Sequence, residues 1–227
     1  MNEIDSYCNL FNRKRESVKL IVVTKSQPSE KIEQAIAAGA RFLGENYPEE
    51  TIEKKNELSN LPEDLEWHMI GHLQSRKSQL VINEFTMMQS LDSVKLAKRL
   101  DRQLKASNKK LPVLLQFNVG GEDSKYGWNA SEENNWSSFI DEMVEVMNCS
   151  NLIVQGLMTM PPFTIIEAES RTYFRRLRDL GEYLQSRFPE LSISEYSMGT
   201  SHDFKMAIAE GATMIRIGTA IMGSREK

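Results

Sequence analysis

The stretch Leu20-Ile21-Val22-Val23-Thr24-Lys25 decides how this chain can fold. Its first four residues are all apolar, and a threonine and a lysine follow them. A continuous apolar run of this length is typical of a parallel strand that is covered on both faces. The segment after it, from Glu30 to Ala38, places apolar residues at i, i+3 and i+4, as an amphipathic helix does. The stretch is therefore predicted to be the first strand of a strand–helix unit.

This unit recurs along the chain. Seven further apolar runs lie at 42–44, 67–70, 86–88, 113–117, 153–157, 193–196 and 214–217, and helical patterns lie at 92–104, 132–147, 166–188 and 201–210. Alternating strands and helices predict right-handed βαβ units around a parallel sheet. Eight strands in a chain of 227 residues predict an α/β fold, a single (β/α)₈ TIM barrel over residues 1–227.

Two features qualify this prediction. Ile4, Tyr7, Cys8 and Phe11 fall at helical spacing, so an N-terminal helix is expected to cover part of the barrel. A doubly wound open sheet is the alternative architecture, but it requires a nucleotide-binding fingerprint that we do not find in the sequence.

Composition excludes several classes of protein. The formal net charge of −4 disfavours nucleic acid as a partner, since phosphate backbones require a basic face. No apolar run approaches the length of a membrane span, and the first residues do not resemble a signal peptide. Cys8 and Cys149 form no CxxC pair and are expected to be buried apolar fillers. These features predict a cytoplasmic protein.

Polar or small residues follow the predicted strands, where TIM barrels place their sites. These strand-end residues are Thr24-Lys25, Glu45-Asn46, Gly71-His72, Ser90, Asn118, Met158-Thr159-Met160, Met198-Gly199 and Gly218-Thr219. Lys25 is the most informative, because an amine desolvated at a strand end becomes a nucleophile that can form Schiff bases with aldehydes. The alternative is a lysine whose ammonium reaches back to water.

The last two units suggest an anion site. Ser201 opens a predicted helix as its N-cap, and Gly218-Thr219 forms a second small turn after the next strand. Loops after strands seven and eight of this fold commonly bind phosphate. The alternative is that Ser201 only caps its helix and Gly218 only turns the chain.

Arg216 lies inside the apolar run Met214-Ile215-Arg216-Ile217, where a charge needs a partner. It could form a structural ion pair, or it could donate to a ring nitrogen of a bound cofactor. His68 and His72 are four residues apart, but they straddle a strand end without the glutamate of a zinc motif, so His68 is expected to pack within the barrel. The arginines at 171, 175, 176 and 178 are expected to form a solvated helix face.

The whole chain resembles the pyridoxal phosphate homeostasis proteins, and the matching segments occur in the order of that family. The segments are Val22-Val23-Thr24-Lys25, residues 42–47, residues 67–74, residues 90–93, residues 118–127, residues 156–160, residues 197–204 and residues 215–223. The resemblance implies a barrel like the N-terminal domain of alanine racemase. It also implies pyridoxal 5′-phosphate (PLP) as the cofactor, bound as a Schiff base on Lys25.

The resemblance implies roles for the other residues as well. Asn46 is expected near the cofactor, Ser201, Gly218 and Thr219 at its phosphate, and Arg216 at its pyridine nitrogen. Met198, at the end of the seventh predicted strand, is also counted among the cofactor-binding residues. Family membership implies a monomer that carries PLP, with PLP-dependent apoenzymes as partners and no dedicated catalytic reaction.

Two other functions compete with that of a carrier. A PLP-dependent amino-acid racemase needs a second base, which related barrels take from a separate C-terminal domain. This chain ends soon after its eighth predicted strand, so we expect one face of the cofactor to lack that base. A metal-dependent aldolase predicts clustered carboxylates or histidines at strand ends, and only Glu45, His68 and His72 are present there.

Overall fold

Eight parallel strands close into a barrel in the structure, a computed structural model that describes residues 2–224. The barrel strands are β1 (Lys19–Val23), β2 (Phe42–Glu45), β3 (Glu66–Met69), β4 (Met87–Leu91), β5 (Leu111–Asn118), β7 (Leu152–Thr159), β8 (Glu195–Ser197) and β9 (Met214–Ile217). Neighbours follow chain order around the ring, β1 pairs with β9, and β4 pairs with β5. The two-residue strand β6 (Trp128–Asn129) extends the pairing at the end of β5.

Helices surround the barrel. They are α1 (Asn2–Leu10), α2 (Ser29–Ala37), α3 (Pro48–Glu57), α4 (Ser78–Glu84), α5 (Val94–Ala106), α6 (Ile140–Met147), α7 (Glu167–Arg187), α8 (Phe204–Ala209) and α9 (Thr219–Met222). Short 3₁₀ turns lie at Arg15–Ser17, Ser75–Lys77 and Glu133–Phe139. Within the described residues, the structure contains no helix with the length and apolar character that crossing a membrane would require.

Apolar side chains form two separate layers on the two sides of the sheet. The larger cluster lies between the strands and the helices, and it includes both buried thiols, Cys8 and Cys149. A smaller cluster fills the barrel interior with the side chains of Ile21, Met87, Leu114, Met158 and Met214. Because side chains alternate between the two faces of a strand, this interior layer sets which residues point towards the barrel axis further along each strand.

Strand register brings the two ends of the sheet together. Val22 of β1 lies beside Leu43 of β2 and beside Ile217 of β9. The carboxyl ends of these three strands therefore meet at one rim of the barrel, although β1 and β9 are far apart in the chain. Lys25, Asn46 and Thr219 follow these three strands at this rim.

The predicted barrel and all eight of its strands are confirmed, but several helices differ from the prediction. Helix α3 was not predicted, because it is polar throughout and buries only Pro48, Thr51 and Lys54. The predicted helix over 132–147 is a 3₁₀ segment followed by α6, in a stretch of asparagines and serines that favour helices weakly. Helices α4 and α9 are short and were also not predicted.

The predicted N-terminal helix is α1, and it packs against α8. The rings of Tyr7 and Phe204 meet edge to face, with centroids 5.6 Å apart. Arg13, just after α1, donates to the carbonyl oxygens of Ile208 (3.1 Å) and Ala212 (2.6 Å) at the end of α8. These bonds tie the segment after α1 to the end of α8 and the turn that follows it.

Candidate functional site

A cavity of about 530 Å³ opens at the carboxyl ends of the barrel strands. This is the usual position of the active site in TIM barrels, and the volume suits a small ligand. Its lining residues come from nearly every strand end: Val23, Lys25, Asn46, Tyr47, Ile70, Gly71, His72, Gln116, Ser124, Lys125, Tyr126, Met160, Thr200, Ser201, His202, Arg216, Gly218 and Thr219. Six of the seven residues predicted to bind a cofactor are among them.

Lys25 lines the cavity two residues beyond the end of β1, where it is half-buried. Alternation along the strand turns Val23 and Lys25 to the inside and Thr24 to the outside, where its hydroxyl donates to Glu45 at 2.7 Å. Ser26 follows with a positive φ of 54°, and its backbone N–H donates to Glu50 at 2.5 Å. The chain therefore leaves the barrel directly after Lys25.

A buried ion pair braces this strand end from outside the barrel. Lys54 of α3 contacts Glu45 and the carbonyl oxygen of Thr24, each at 2.6 Å, and Glu50 at 2.5 Å. Burial raises the pKa of Glu45, and the Lys54 ammonium offsets only part of that effect. The second carboxylate oxygen of Glu45 has no hydrogen-bond partner among the described residues. The ion pair ties the ends of β1 and β2 to α3.

Asn46 lies directly opposite Gly71, across the ends of β2 and β3. A Cβ atom at Gly71 would stand 2.7 Å from Asn46 Cα and 2.8 Å from its Cβ. Only glycine leaves room for this approach of the two chains. Gly71 therefore determines where the Asn46 side chain enters the cavity.

Arg216 is 3% exposed, and it lines the cavity from inside the barrel. Its Nη1 donates to Ser197 Oγ at 2.6 Å, and its Nη2 donates to the carbonyl oxygen of Thr159 at 2.7 Å and contacts Met160 Sδ at 2.9 Å. Within residues 2–224, no carboxylate lies at ion-pair distance from it. Burial lowers the pKa of Arg216 to about 10, which leaves it protonated at neutral pH. The structural ion pair considered from the sequence is therefore not formed.

Small and hydroxyl-bearing residues face the cavity from the last two strand ends. Ser201, Gly218 and Thr219 all line it. The first turn of α9 leaves the backbone N–H groups of Thr219 and its neighbour without intrahelical acceptors. Met198, by contrast, is fully buried in the outer core and does not line the cavity.

The N-cap predicted at Ser201 is wrong. Helix α8 begins at Phe204 with Asp203 at the N-cap position. The Asp203 carboxylate instead accepts from the N–H and the hydroxyl of Thr200, at 2.6 and 2.9 Å. This turn delays the start of the helix and leaves Ser201 in a loop that lines the cavity.

An aromatic pair forms part of the cavity rim. The rings of His72 and Tyr126 stack with centroids 3.6 Å apart and planes 6° from parallel. Asp92 holds His72 through Nδ1 at 2.6 Å. Tyr126 belongs to the long loop before β6, which also brings Ser124 and Lys125 to the cavity. Two titratable side chains, His72 and Tyr126, therefore line the same cavity as Lys25.

His68 does not take part in the rim. It is 1% exposed inside the barrel, and its ring nitrogens contact Gln89 at 2.8 Å and Glu66 at 3.1 Å. This confirms the prediction that it packs within the barrel. Across residues 2–224, no three histidine, cysteine, aspartate or glutamate side chains come together as a metal site would require.

The arginines of α7 have structural partners. Arg171 and Arg175 pair with Glu210, at 2.6 and 3.1 Å, and Arg176 donates to the carbonyl oxygen of Val119 at 2.6 Å. The expectation of a solvated helix face is therefore only partly met. These contacts tie α7 to α8 and to the end of β5.

Comparison with known proteins places the chain in a family. Residues 6–226 match the family described as "Alanine racemase, N-terminal domain". The "Pyridoxal phosphate homeostasis protein" of Haemophilus influenzae is 39% identical over 98% of this chain and 92% of that protein. The protein of the same name from Escherichia coli K12 is 36% identical over 99% of this chain and 93% of that protein.

Solved structures agree with the sequence relatives. PipY of Synechococcus elongatus PCC7942, determined with PLP bound, is 35% identical with a TM-score of 0.84, over 97% of this chain and 99% of that chain. An alanine racemase of Clostridium difficile 630 is 17% identical with a TM-score of 0.69, over 100% of this chain and 58% of that chain, which is a likeness of fold alone. The chain belongs to the family of pyridoxal phosphate homeostasis proteins, which share the barrel of the alanine racemase N-terminal domain.

Proposed function

We propose that this chain binds PLP in the rim cavity through a covalent link to Lys25, and that it serves PLP homeostasis inside the cell as a carrier or regulator. The observation that carries the proposal is a single cavity containing the half-buried Lys25 and the buried Arg216, whose charge meets no carboxylate among the described residues. PLP would supply an aldehyde that condenses with an amine, a ring nitrogen that accepts hydrogen bonds, and a phosphate. Similarity to PipY, which was solved with PLP bound, supports the same ligand.

The remaining site residues fit the rest of this ligand. We propose that Ser201, Gly218 and Thr219 bind the phosphate through hydroxyl and backbone N–H donors. Asn46 would contact the ring side, where Gly71 leaves room for it. Met198 would contribute only through its backbone or through packing, because its side chain does not line the cavity.

Arg216 supports binding over catalysis. A guanidinium donates hydrogen bonds without releasing its proton, so it would leave an acceptor ring nitrogen unprotonated. An unprotonated ring withdraws electrons weakly, which disfavours reactions at an amino-acid substrate. We therefore propose that the chain has no dedicated reaction and that Lys25 exchanges the cofactor with other amines, including those of PLP-dependent apoenzymes.

The proposal extends to organisation and location. We propose that residues 1–227 form one PLP-binding barrel domain that acts as a monomer. One closed sheet built from strands between Lys19 and Ile217 supports a single unit. Two buried free thiols fit a cytoplasmic protein, because such compartments keep cysteines reduced.

The proposed anchor is tested by borohydride reduction of the PLP-loaded protein, followed by mass spectrometry of its peptides. The adduct is expected on Lys25 and is lost in Lys25→Ala. Lys125→Ala is the matched control, since Lys125 lines the same cavity. An adduct that persists in Lys25→Ala and disappears in Lys125→Ala would refute the anchor.

The phosphate site is tested by replacing Ser201 and Thr219 together with alanine. Each charge-assisted hydrogen bond that is lost should weaken PLP binding by about 1.5–3 kcal/mol. Pyridoxal, which lacks the phosphate, is the control ligand and should bind the double variant and the parent protein equally. Unchanged PLP affinity would place the phosphate elsewhere.

Amino-acid racemisation is the alternative function, and one observation favours it. His72, held by Asp92, and Tyr126 line the same cavity as Lys25 and could serve as a second proton-transfer group. The two functions are separated by incubating the loaded protein with L-amino acids in heavy water. Repeated deuterium incorporation at the α-carbon that is lost in Lys25→Ala would establish the enzyme and refute a role limited to carriage.

A further inference from the structure

A continuous chain of hydrogen bonds runs down the interior of the barrel from the cavity, and all but its last bond are buried. Arg216 Nη1 donates to Ser197 Oγ at 2.6 Å, and Ser197 Oγ donates to Gln89 Oε1 at 2.6 Å. Gln89 Nε2 lies 2.8 Å from His68 Nδ1, and His68 Nε2 lies 3.1 Å from Glu66 Oε2. We call these five residues the axial chain. Ser197, Gln89 and His68 are buried, and none of the three lines the cavity.

The two ends of the axial chain set the direction of every bond between them. A guanidinium only donates, and a carboxylate only accepts. Glu66 therefore requires the proton on His68 Nε2, so that in a neutral ring Nδ1 must accept from the Gln89 amide nitrogen. The Gln89 oxygen then faces Ser197, whose hydroxyl donates to it while its oxygen accepts from Arg216. Read from either end, the donors point the same way.

This common direction links the charge of Arg216 to a distant carboxylate. Glu66 begins β3 at the amino end of the barrel, and its side chain is 42% exposed. The hydrogen bond from His68 is the main cause of the lowered pKa of Glu66. Hydrogen bonds aligned in one direction polarise one another, so the axial chain connects Arg216 to Glu66 through three neutral side chains, while the Asp203 carboxylate also favours the charge of Arg216.

We propose that Ser197, Gln89 and His68 are positioning residues, which hold the Arg216 guanidinium towards the cavity. This inference rests on the proposed function, because it assumes that PLP is the ligand that Arg216 meets. Nη1 and Nη2 are held by protein acceptors, and Nε has no hydrogen-bond partner among residues 2–224. The guanidinium is thus fixed in orientation, while its Nε–H and the second N–H of Nη1 stay available as donors.

A second arginine–serine–glutamine relay outside the barrel provides a matched control. Arg99 Nε donates to Ser78 Oγ at 3.0 Å, and Ser78 Oγ donates to Gln103 Oε1 at 2.6 Å, between α4 and α5. Ser78 is fully buried, like Ser197. Ser78→Ala therefore removes the same kind of hydrogen bonds without reaching the cavity.

The test compares PLP binding and the spectrum of bound PLP in Ser197→Ala, Gln89→Leu and Ser78→Ala. The first two are expected to weaken PLP binding about tenfold, the cost of one lost hydrogen bond. They should also shift the pH profile of the absorbance of bound PLP, because Arg216 is no longer held at the ring nitrogen. Ser78→Ala should leave both unchanged, and Ser197→Thr, which keeps the hydroxyl, should restore both.

Binding and pH profiles in Ser197→Ala and Gln89→Leu that match those of Ser78→Ala would overturn the proposal. A parent protein that fails to bind PLP would refute the proposed function instead. The ligand-free protein gives an independent readout by ¹⁵N NMR, which should show the His68 ring protonated at Nε2. A ring protonated at Nδ1 would overturn the direction of the axial chain, whether or not the variants fold.

Discussion

Lys54 and Arg216 are both buried cations, and they lie on opposite sides of the same sheet. Lys54, outside the barrel, is 5% exposed and is matched by Glu45 and Glu50. Arg216, inside the barrel, is 3% exposed and meets only neutral acceptors among the described residues. A buried charge that is paired within the protein holds the fold together, whereas one that faces a cavity without a carboxylate is suited to a ligand. The following predictions test this difference, beginning with the largest expected effect.

Replacing Lys54 with methionine should reduce the free energy of unfolding by about 3–5 kcal/mol, because Glu45 would remain buried without its partner. Urea denaturation of the ligand-free protein measures this loss. Lys55→Met is the control: Lys55, the next residue on α3, pairs with Glu84 at a more exposed position, where an ion pair contributes about 0–1 kcal/mol. Equal losses in the two variants would remove the distinction between the buried pair and an ordinary surface pair.

Arg216→Met should act mainly on the ligand. The loss of charge-assisted hydrogen bonds should weaken PLP binding by about 1.5–3 kcal/mol, as measured by equilibrium dialysis. The free energy of unfolding should fall less than in Lys54→Met, because no carboxylate is left bare. Arg99→Met serves as the control and should bind PLP normally. If Arg216→Met keeps its PLP affinity but unfolds as easily as Lys54→Met, then Arg216 is structural.

Gly71→Ala should displace Asn46, which enters the cavity just after β2, and leave the outer ion pair of Lys54 and Glu45 intact. Its Cβ atom would meet Asn46 Cα at 2.7 Å, an overpacking expected to cost about 1–3 kcal/mol and to displace Asn46 from the cavity. Gly39→Ala is the control. It also destabilises the fold, because Gly39 has a φ of 100°, but its Cβ atom would have no neighbouring atom within 4 Å. Only Gly71→Ala should lose PLP affinity, and a loss in both would point to general destabilisation.

The smallest expected effect is the pH dependence contributed by Glu66. Its pKa is lowered from 4.5 in the folded protein, chiefly by the His68 hydrogen bond, so it adds stability above its ordinary pKa that is lost as the pH falls through the folded value. Because Glu66 is partly exposed, Glu66→Gln should lower the free energy of unfolding by only a few tenths of a kcal/mol near neutral pH.

Urea midpoints at about pH 6 and about pH 3 measure this difference between the parent protein and Glu66→Gln. The gap should narrow as the pH falls, because protonation of the Glu66 carboxyl removes the stabilisation that its charge provides. A gap that widens in acid would mean that Glu66 does not stabilise the fold as a carboxylate.

Strand patterns predicted the barrel because each strand is a local apolar run, which needs no knowledge of its neighbours. Lys25, Asn46 and Thr219 could be predicted for the same reason, since each lies within two residues of the end of a strand. Helix α3 could not be predicted, because it has no apolar periodicity and its burial of Lys54 depends on Glu45 at the end of β2.

Two parts of the site lay beyond the reach of a local pattern. Tyr126 lies in a loop, and a local sequence pattern does not predict the conformation of that loop. In the structure the loop brings Tyr126 to the cavity, where its ring stacks on His72. The axial chain joins Gln89 of β4 to Ser197 of β8, which become neighbours across the barrel only when the sheet closes. Its one local signal was a polar residue within an apolar run, His68 in residues 67–70 and Arg216 in residues 214–217.

The pairing of β1 with β9 makes the cavity a property of the completed chain. Lys25 follows the first strand to be synthesised, and Thr219 follows the last, so the groups proposed to anchor the two ends of PLP lie on either side of the seam where the barrel closes. A nascent chain that lacks β9 has the lysine but not the pocket. A ligand that spans the seam also resists its opening, since binding to the folded state alone shifts the folding equilibrium. PLP binding would then stabilise the last step of this protein's own folding, the pairing of β9 with β1.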